Sequence, residues 1–438
     1  MCRRLVNAQG GRLLIVSREM APSVGPHPIR VSKLAKYLPE FGWHPTILTV
    51  PVDHAWALDL SMLEELGAVP VIRIPRLLSR LVPPPGPNAR TAAQGTDKPQ
   101  EAHRLRARLR RITSGLLIPD RDLLWALPAA RRTLREARSF DVILTTGPPF
   151  STHLVGAWVT QRTGIPWVAE YRDNWTMNPL YRRAAPRRQV ERRIESWMLR
   201  RAAAAITVSE AAAAEMVATF PGIADRMHVA MNGFDPDDMP LPQPIPSEFE
   251  IAYAGTLDER RDPRIFIGAL ERQMGVDAAF AARLRLRLMG NIVGWVSDLA
   301  RSRLGKERVL VDGQLPHRLA LERAAEAAVL LGITTRAESG GTGFTSKLFE
   351  YLGLRRPVLM LAPPGPAREL VEQLQAGAVA DPDDLGAIVN GIRTLYEDWR
   401  SGRQRVASDG ALASYTRRET ARRVAIALEA ARARGPVR

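Results

Sequence analysis

Residues 338–353 read ESGGTGFTSKLFEYLG and follow closely on the apolar run 328–333, AVLLGI. Three glycines, Gly340, Gly341 and Gly343, let the backbone approach a ligand closely. Thr345 and Ser346 stand where a helix cap is expected. The helix that follows offers free N–H groups and the positive end of its dipole to an anion. Lys347 falls in the first turn, where a cation opposes the dipole unless a phosphate lies beside it. Glu350, three residues on and on the same face, presents a carboxylate suited to a ribose diol. The alternative, an ordinary capped helix with a solvent lysine, is disfavoured by rarity. The chain has five lysines in all, Lys33, Lys36, Lys98, Lys306 and Lys347. A strand, a glycine-rich turn and a helix opening on an anion form the repeating unit of a parallel sheet.

The same alternation of strand-length apolar runs and helix-period segments extends through the chain. In the first half, strands are expected at 12–17, 46–50, 71–74, 140–145, 165–170, 205–208 and 227–231. The first helix places Val31, Leu34, Leu38 and Phe41 on one face and closes at Gly42; others are expected at 151–163 and 186–201. The second half offers strands at 249–254, 284–289, 309–312, 328–333, 357–362 and 378–380, separated by helices, and a last helix at 414–434. Five prolines between 236 and 248 mark a semi-rigid linker. Residues 83–103, rich in Pro, Gly and charge, read as a mobile insertion. The expected organisation is α/β, with doubly wound parallel-sheet domains at 1–235 and 249–400 and a C-terminal segment at 401–438. Ligands of such sheets bind beyond the carboxyl ends of the strands, so a cleft between the two domains is expected to hold the chemistry.

A length of 438 residues suits two domains rather than one core. The net charge of +16 comes from 62 basic against 46 acidic residues. Its arginine bias, beside abundant alanine, reads as genome composition. Nucleic acid is disfavoured as a partner against a solvated basic surface, since neither aromatic interleaving nor a recognition motif accompanies the charge. Arg104, Arg106, Arg108, Arg110 and Arg111 crowd one segment, and such a cluster attracts an anionic membrane by ~1 kcal/mol per residue. The one cysteine, Cys2, excludes a disulfide framework and a multi-cysteine metal site. No run approaches the ~20 apolar residues of a membrane span, and residues 13–16 are too short for a signal core. A cytoplasmic location is expected, with peripheral contact at the inner membrane face. Metal-ligand spacing is absent among the seven histidines. The two DPDD runs, 235–238 and 381–384, read as caps and first-turn residues rather than a cation site.

Residues 344–359, FTSKLFEYLGLRRPVL, resemble the donor-site block of the family 4 glycosyltransferases of the GT-B fold. Four further blocks match in order: 141–153 (DVILTTGPPFSTH), 171–175 (YRDNW), 232–235 (NGFD) and 254–257 (AGTL). The resemblance covers most of the chain, from about residue 12 to 420. It implies two Rossmann-like domains facing a central cleft, with the C-terminal helix crossing back to the first. It also implies retaining, metal-independent transfer of a sugar from a nucleotide-diphosphate donor. By the same resemblance Glu350 grips the ribose, and Arg261, spaced from Gly255 where members carry a lysine, binds the diphosphate. Arg260 is equally placed, and Lys347 assists. Gly341, Thr342, Gly343, Phe344, Thr345 and Ser346 complete the donor loop. Gly25 matches the turn approaching the transferred sugar, and His153 the position near the donor sugar. Two residues depart from the pattern: Thr342 stands where many members have a second glutamate, and Thr256 where an arginine is frequent.

Arg172 and Asp173, at a strand's carboxyl end, and His27, close to Gly25, are assigned to the acceptor side. The function expected is transfer to a hydroxyl of a cell-surface polysaccharide, a lipid-linked saccharide or a natural product. No cofactor or metal is expected beyond the sugar-nucleotide substrate. Two other classes stay open: a nucleotide-sugar epimerase of the same architecture, and a non-enzymatic basic protein that binds membrane or nucleic acid.

Overall fold

Leu13, Leu14, Ile15 and Val16 are all buried, so the first strand is covered on both faces, as strands inside parallel sheets are. The structure, a computed structural model, describes residues 10–435 except 24, 53–58, 60, 78–116, 179–180, 182–183 and 335–345. Its chain forms two compact units, residues 1–231 with 420–438, and residues 232–419. The segment 83–103 and the arginines at 104–111 lie outside the described residues.

The first unit holds seven strands: β1 (Gly11–Val16), β2 (Trp43–Thr49), β3 (Val71–Arg73), β4 (Val142–Gly147), β5 (Trp167–Tyr171), β6 (Ala204–Thr207) and β7 (Met227–Val229). All pair in parallel, in the order β3-β2-β1-β4-β5-β6-β7. The order reverses between β1 and β4, which makes their carboxyl ends the switch point of a doubly wound sheet. Its helices are α1 (Pro26–Tyr37), α2 (Ser61–Glu64), α3 (Leu123–Glu136), α4 (Ser151–Thr163), α5 (Ala185–Leu199) and α6 (Glu210–Thr219). Alternate residues of β1 feed opposite cores. Leu13 and Ile15 pack with α1, and Leu14 and Val16 with α3 and α4. Helix α1 stops earlier than the apolar spacing predicts. Leu38–Phe41 tightens into a 3-10 turn, and Gly42 ends it with φ 77, a conformation glycine adopts without strain.

Strands β8 (Phe249–Leu257), β9 (Leu284–Ile292), β10 (Val309–Gly313), β11 (Val329–Ile333), β12 (Val358–Leu361) and β13 (Gly377–Ala380) form the second sheet. Their order, β10-β9-β8-β11-β12-β13, repeats the first pattern, with the switch point between β8 and β11. The intervening helices are α7 (Arg264–Val276), α8 (Ala278–Arg283), α9 (Gly294–Leu304), α10 (His317–Ala325), α11 (Ser346–Gly353) and α12 (Pro366–Gln373), with α13 (Leu385–Arg400) and α14 (Asp409–Leu412) after β13. The proline tract at 236–248 is more than a tether. Arg356 donates to the carbonyls of Gln243 (3.0 Å) and Pro244 (2.8 Å), and Trp399 Nε1 to that of Pro246 (2.9 Å). These bonds strap the tract onto the second unit.

The last helix, α15 (Arg417–Arg434), begins in the second unit and ends in the first. Its Ala421, Val424, Ala427, Leu428 and Ala431 are buried in the same core as Leu13 and Ile15. At its start Arg417 N–H donates to Phe234 O (2.7 Å), so the chain's two crossings run side by side.

Helix α5 carries two fully buried acids a turn apart, Glu191 and Glu195. Glu191 is met by Arg187 Nε (2.7 Å) and the Tyr181 hydroxyl (2.9 Å). Among the described residues Glu195 is met by Thr176 alone, through its hydroxyl (2.5 Å) and N–H (3.2 Å). Burial therefore pushes the Glu195 carboxyl up to about 7, against the Thr176 hydrogen bonds. Between its ordinary value and 7 the folded chain holds a proton that the unfolded chain has lost, so stability falls as pH rises through this window. Wild-type protein is expected to lose roughly 3 kcal/mol of this contribution between pH 5 and 8. Glu195→Gln, which mimics the protonated acid, flattens that loss. Urea unfolding of both proteins at the two pH values measures it; parallel declines would contradict the assignment.

Candidate functional site

In the second unit the switch point lies at Gly255, near the end of β8. Helix α11 is fixed there by its own Tyr351, whose hydroxyl accepts the Ala254 N–H at 2.9 Å. One turn earlier, Lys347 lies across Gly255. A Cβ built on that glycine would sit 3.2 Å from Lys347 Cε and 2.9 Å from the Tyr253 hydroxyl. The approach is set from the other side by Gly290 on β9, in register with Gly255. With φ +108, Gly290 would place a Cβ 2.2 Å from the Gly255 carbonyl oxygen.

Three charged groups share this place. Burial pulls the Lys347 amine below the usual lysine range; Glu350 opposes that shift and Arg261 adds to it. The Glu350 carboxyl, which burial alone would push up, is held down at about 2 by the charge and hydrogen bond of His317, then by Lys347 and Arg417. The His317 contact, Nε2 to Oε1, measures 3.0 Å. The two adjacent arginines are distinguished by their surroundings. Asp258 accepts the backbone N–H of both Arg260 (3.0 Å) and Arg261 (3.2 Å), and pairs with the Arg260 guanidinium at 3.1 Å. That leaves Arg260 pointing outward, its side chain 79% exposed, while Arg261 is the arginine whose charge reaches Lys347. Lys347, Glu350, Arg261 and Gly255 are thus brought together, with Ser346 as the first residue of α11. Gly341, Thr342, Gly343, Phe344 and Thr345 lie outside the described residues.

In the first unit, Gly25 precedes α1 with φ 141, a backbone open to glycine alone, and Pro26 starts the helix. His27, the next residue, is held neutral, its pKa lowered well below the ordinary value by burial, with Arg172 and Arg30 adding to the effect. Arg172 N–H and Nε both donate to Gly147 O (3.0 and 3.1 Å), and its far nitrogen donates to Pro148 O. Burial draws the guanidinium down to about 10. Beneath it, Arg30 and Glu170 form a buried ion pair at 2.8 Å, and Arg30 also donates to Ala230 O at 2.8 Å. His27 and Arg172 lie near enough for the guanidinium's charge to act on the imidazole, and Asp173, next in the chain, is exposed.

His153 is placed differently. It is fully buried, 4.4 Å from the Tyr171 ring and in the same aromatic cluster as Phe150 and Trp167. Trp167 Nε1 donates to Thr145 Oγ1 (2.8 Å), which leaves the Thr145 hydroxyl proton for His153 Nδ1 (2.8 Å). Burial holds the ring at about 3, so it stays neutral. The imidazole packs between β4 and α4. Sequence reasoning also passed over His317, Arg417 and Asp120. Asp120 caps α4 by accepting the Ser151 N–H (3.0 Å) and hydroxyl (2.6 Å). His317 carried a usable signal, since it opens the helix after β10, at a strand's carboxyl end.

Residues 28–233 match the model of the glycosyl transferase 4-like domain. Over 96% of its length the chain has the same fold as Anabaena Alr3699/HepE, solved in complex with UDP and glucose. That comparison gives a TM-score of 0.63 and 18% identity, covering 96% of this chain and 99% of the other. The chain has the GT-B fold, and its residues 28–233 are similar to a glycosyl transferase 4-like domain. The α,α-trehalose-phosphate synthase (UDP-forming) of Burkholderia xenovorans, solved with glucose-6-phosphate, superposes with a TM-score of 0.62 at 13% identity, covering 96% of this chain and 100% of that one. A glycogen synthase of Mycobacterium tuberculosis is 27% identical over 248 residues, 49% of this chain and 52% of its own length. The chain thus spans about half the length of the curated relatives it matches. Among the described residues no helix is long and apolar enough to cross a membrane.

The closeness of Lys347 to the sheet depends on two glycines in register. Gly290→Ala is expected to force β8 and β9 apart at their carboxyl ends and to cost about 1–3 kcal/mol, as overpacking does. A thermal or urea transition unchanged from wild type would refute the crowding argument.

Proposed function

We propose that this chain transfers a sugar from a nucleoside-diphosphate donor to a hydroxyl acceptor, with retention of anomeric configuration and without a metal ion. The reading is carried by one observation: Lys347, Glu350 and Arg261 converge at the carboxyl end of β8, the switch point of the second sheet. Glu350, ionised throughout the physiological range, accepts the hydroxyls of the donor ribose. Lys347 and Arg261 meet the diphosphate, and an arginine can grip its oxygens with two parallel bonds.

As the sugar–phosphate bond breaks, negative charge grows on the leaving diphosphate. The two cations, with the N–H groups that open α11, oppose that charge where a metal would otherwise stand. The acceptor hydroxyl attacks from the face the diphosphate leaves, and that phosphate is the group best placed to take the hydroxyl proton. On the acceptor side we place His27, Arg172 and Asp173, with Gly25 supplying close backbone. Buried polar partners hold Arg172 by Gly147 and Pro148, so it presents a fixed positive edge. The HepE complex with UDP and glucose supports a sugar-nucleotide donor for this chain. The acceptors that fit are saccharides, including lipid-linked ones at a membrane face, and hydroxylated natural products.

A thermal-shift screen against UDP-, GDP-, ADP- and dTDP-sugars identifies the donor, because a bound ligand raises the transition by mass action. With that donor and a saccharide acceptor, Lys347→Ala and Glu350→Ala are each expected to lower transfer about a hundredfold or more, with folding retained. Arg261→Ala is expected to act in the same direction, and Arg260→Ala to have the smaller effect. Normal turnover by both the Lys347 and Glu350 variants would remove the site assignment. Conversion of the donor sugar with no acceptor present would favour an epimerase instead.

A further inference from the structure

Glu350 faces basic groups from three elements: Lys347 on its own helix α11, His317 at the start of α10, and Arg417 at the start of α15. Among the described residues, the hydrogen bond to its carboxylate comes from His317. An ionised carboxylate only accepts, so the proton of this bond is on His317 Nε2. The contact engages Oε1, and both side chains keep some surface, 23% for His317 and 14% for Glu350. The base of His317 is rigid. It is the first residue of α10, behind Pro316, and the helix is anchored through buried Leu321, Ala324 and Ala325.

Resting on the reading of Glu350 as the ribose acceptor, we propose that His317 is a positioning residue for the donor nucleoside. Its Nε2–H fixes the carboxylate plane through Oε1 and leaves Oε2 open to the two hydroxyls of the ribose. A glutamate side chain otherwise loses rotamer freedom when it binds, and a partner that holds it in place beforehand removes that cost from binding. His317 does not touch the reacting atoms, so it acts on donor affinity and on selectivity for an intact ribose diol. Glutamine places an N–H donor near the position of Nε2 and serves as the conservative replacement.

Calorimetric titration of the full-length protein with UDP, GDP and ADP finds the preferred base. The 2′,3′-dideoxy form of that diphosphate then reports binding without the diol. His317→Ala is expected to weaken the ribonucleotide about ten- to hundredfold, the worth of a hydrogen bond to a charged group. The dideoxy form should bind as it does to wild type, and His317→Gln should recover most of the ribonucleotide affinity. Equal weakening of both ligands would show a merely structural role, and an unchanged ribonucleotide affinity would show no role; either overturns the proposal. Glu350→Gln separates the two readings. If it abolishes the preference for the diol while His317→Ala preserves it, His317 alone is misassigned. If the preference survives Glu350→Gln, or wild type binds no nucleotide, the ribose reading fails and this proposal with it.

Discussion

The second unit is organised around the hydrogen bond in which the Tyr351 hydroxyl accepts the N–H of Ala254. Helix α11 has only eight residues, too few to be stable in isolation. Its position comes from Leu348, Phe349 and Leu352, buried beneath it, and from this one polar bond to the sheet. The bond satisfies a backbone donor of β8 just beyond the residues that pair with β11. It also sets the helix's longitudinal position, which burial of apolar side chains leaves loose. With Tyr351 fixed, Lys347 must lie over Gly255 and Glu350 must turn towards α10. The chemistry of the unit is therefore a matter of register between one helix and one strand.

The two units meet the problem of buried charge in different ways. In the first, Arg30 and Glu170 neutralise each other out of reach of solvent. Such a pair contributes little net stability but is costly to break. Around it, His27 and Arg172 carry pKa values lowered chiefly by burial, with smaller effects from neighbouring charge. The second unit sets Lys347, His317 and Arg417 around the Glu350 carboxylate, and together they keep it ionised against its burial.

Local patterns were readable in the chain, and distant pairings were not. Strand positions inferred from apolar runs lie within a few residues of β1 to β13, because buried parallel strands are continuous in sequence. The same holds for α4, with its end at Gly164. Lys347 and Glu350 could be linked because they sit one turn apart. The bond from His317 to Glu350 spans 33 residues, and the cap from Asp120 to Ser151 spans 31. No periodicity connects such partners. The burial of His153 was illegible for a related reason: a histidine at a helix start looks exposed until Tyr171 and Trp167, contributed by another strand, enclose it. The proline tract read as a tether because composition records stiffness, whereas Arg356 and Trp399 decide what it is fastened to.

The return of α15 to the first unit makes the second unit an insertion within the first. A ribosome delivers the chain in one direction, so residues 232–419 emerge complete before the first unit receives its final helix. Until then, the face of β1 bearing Leu13 and Ile15 lacks the cover of Val424 and Leu428. The nascent first unit thus waits with an apolar groove open while a whole second sheet folds beside it. Chaperone demand during synthesis should concentrate on that groove.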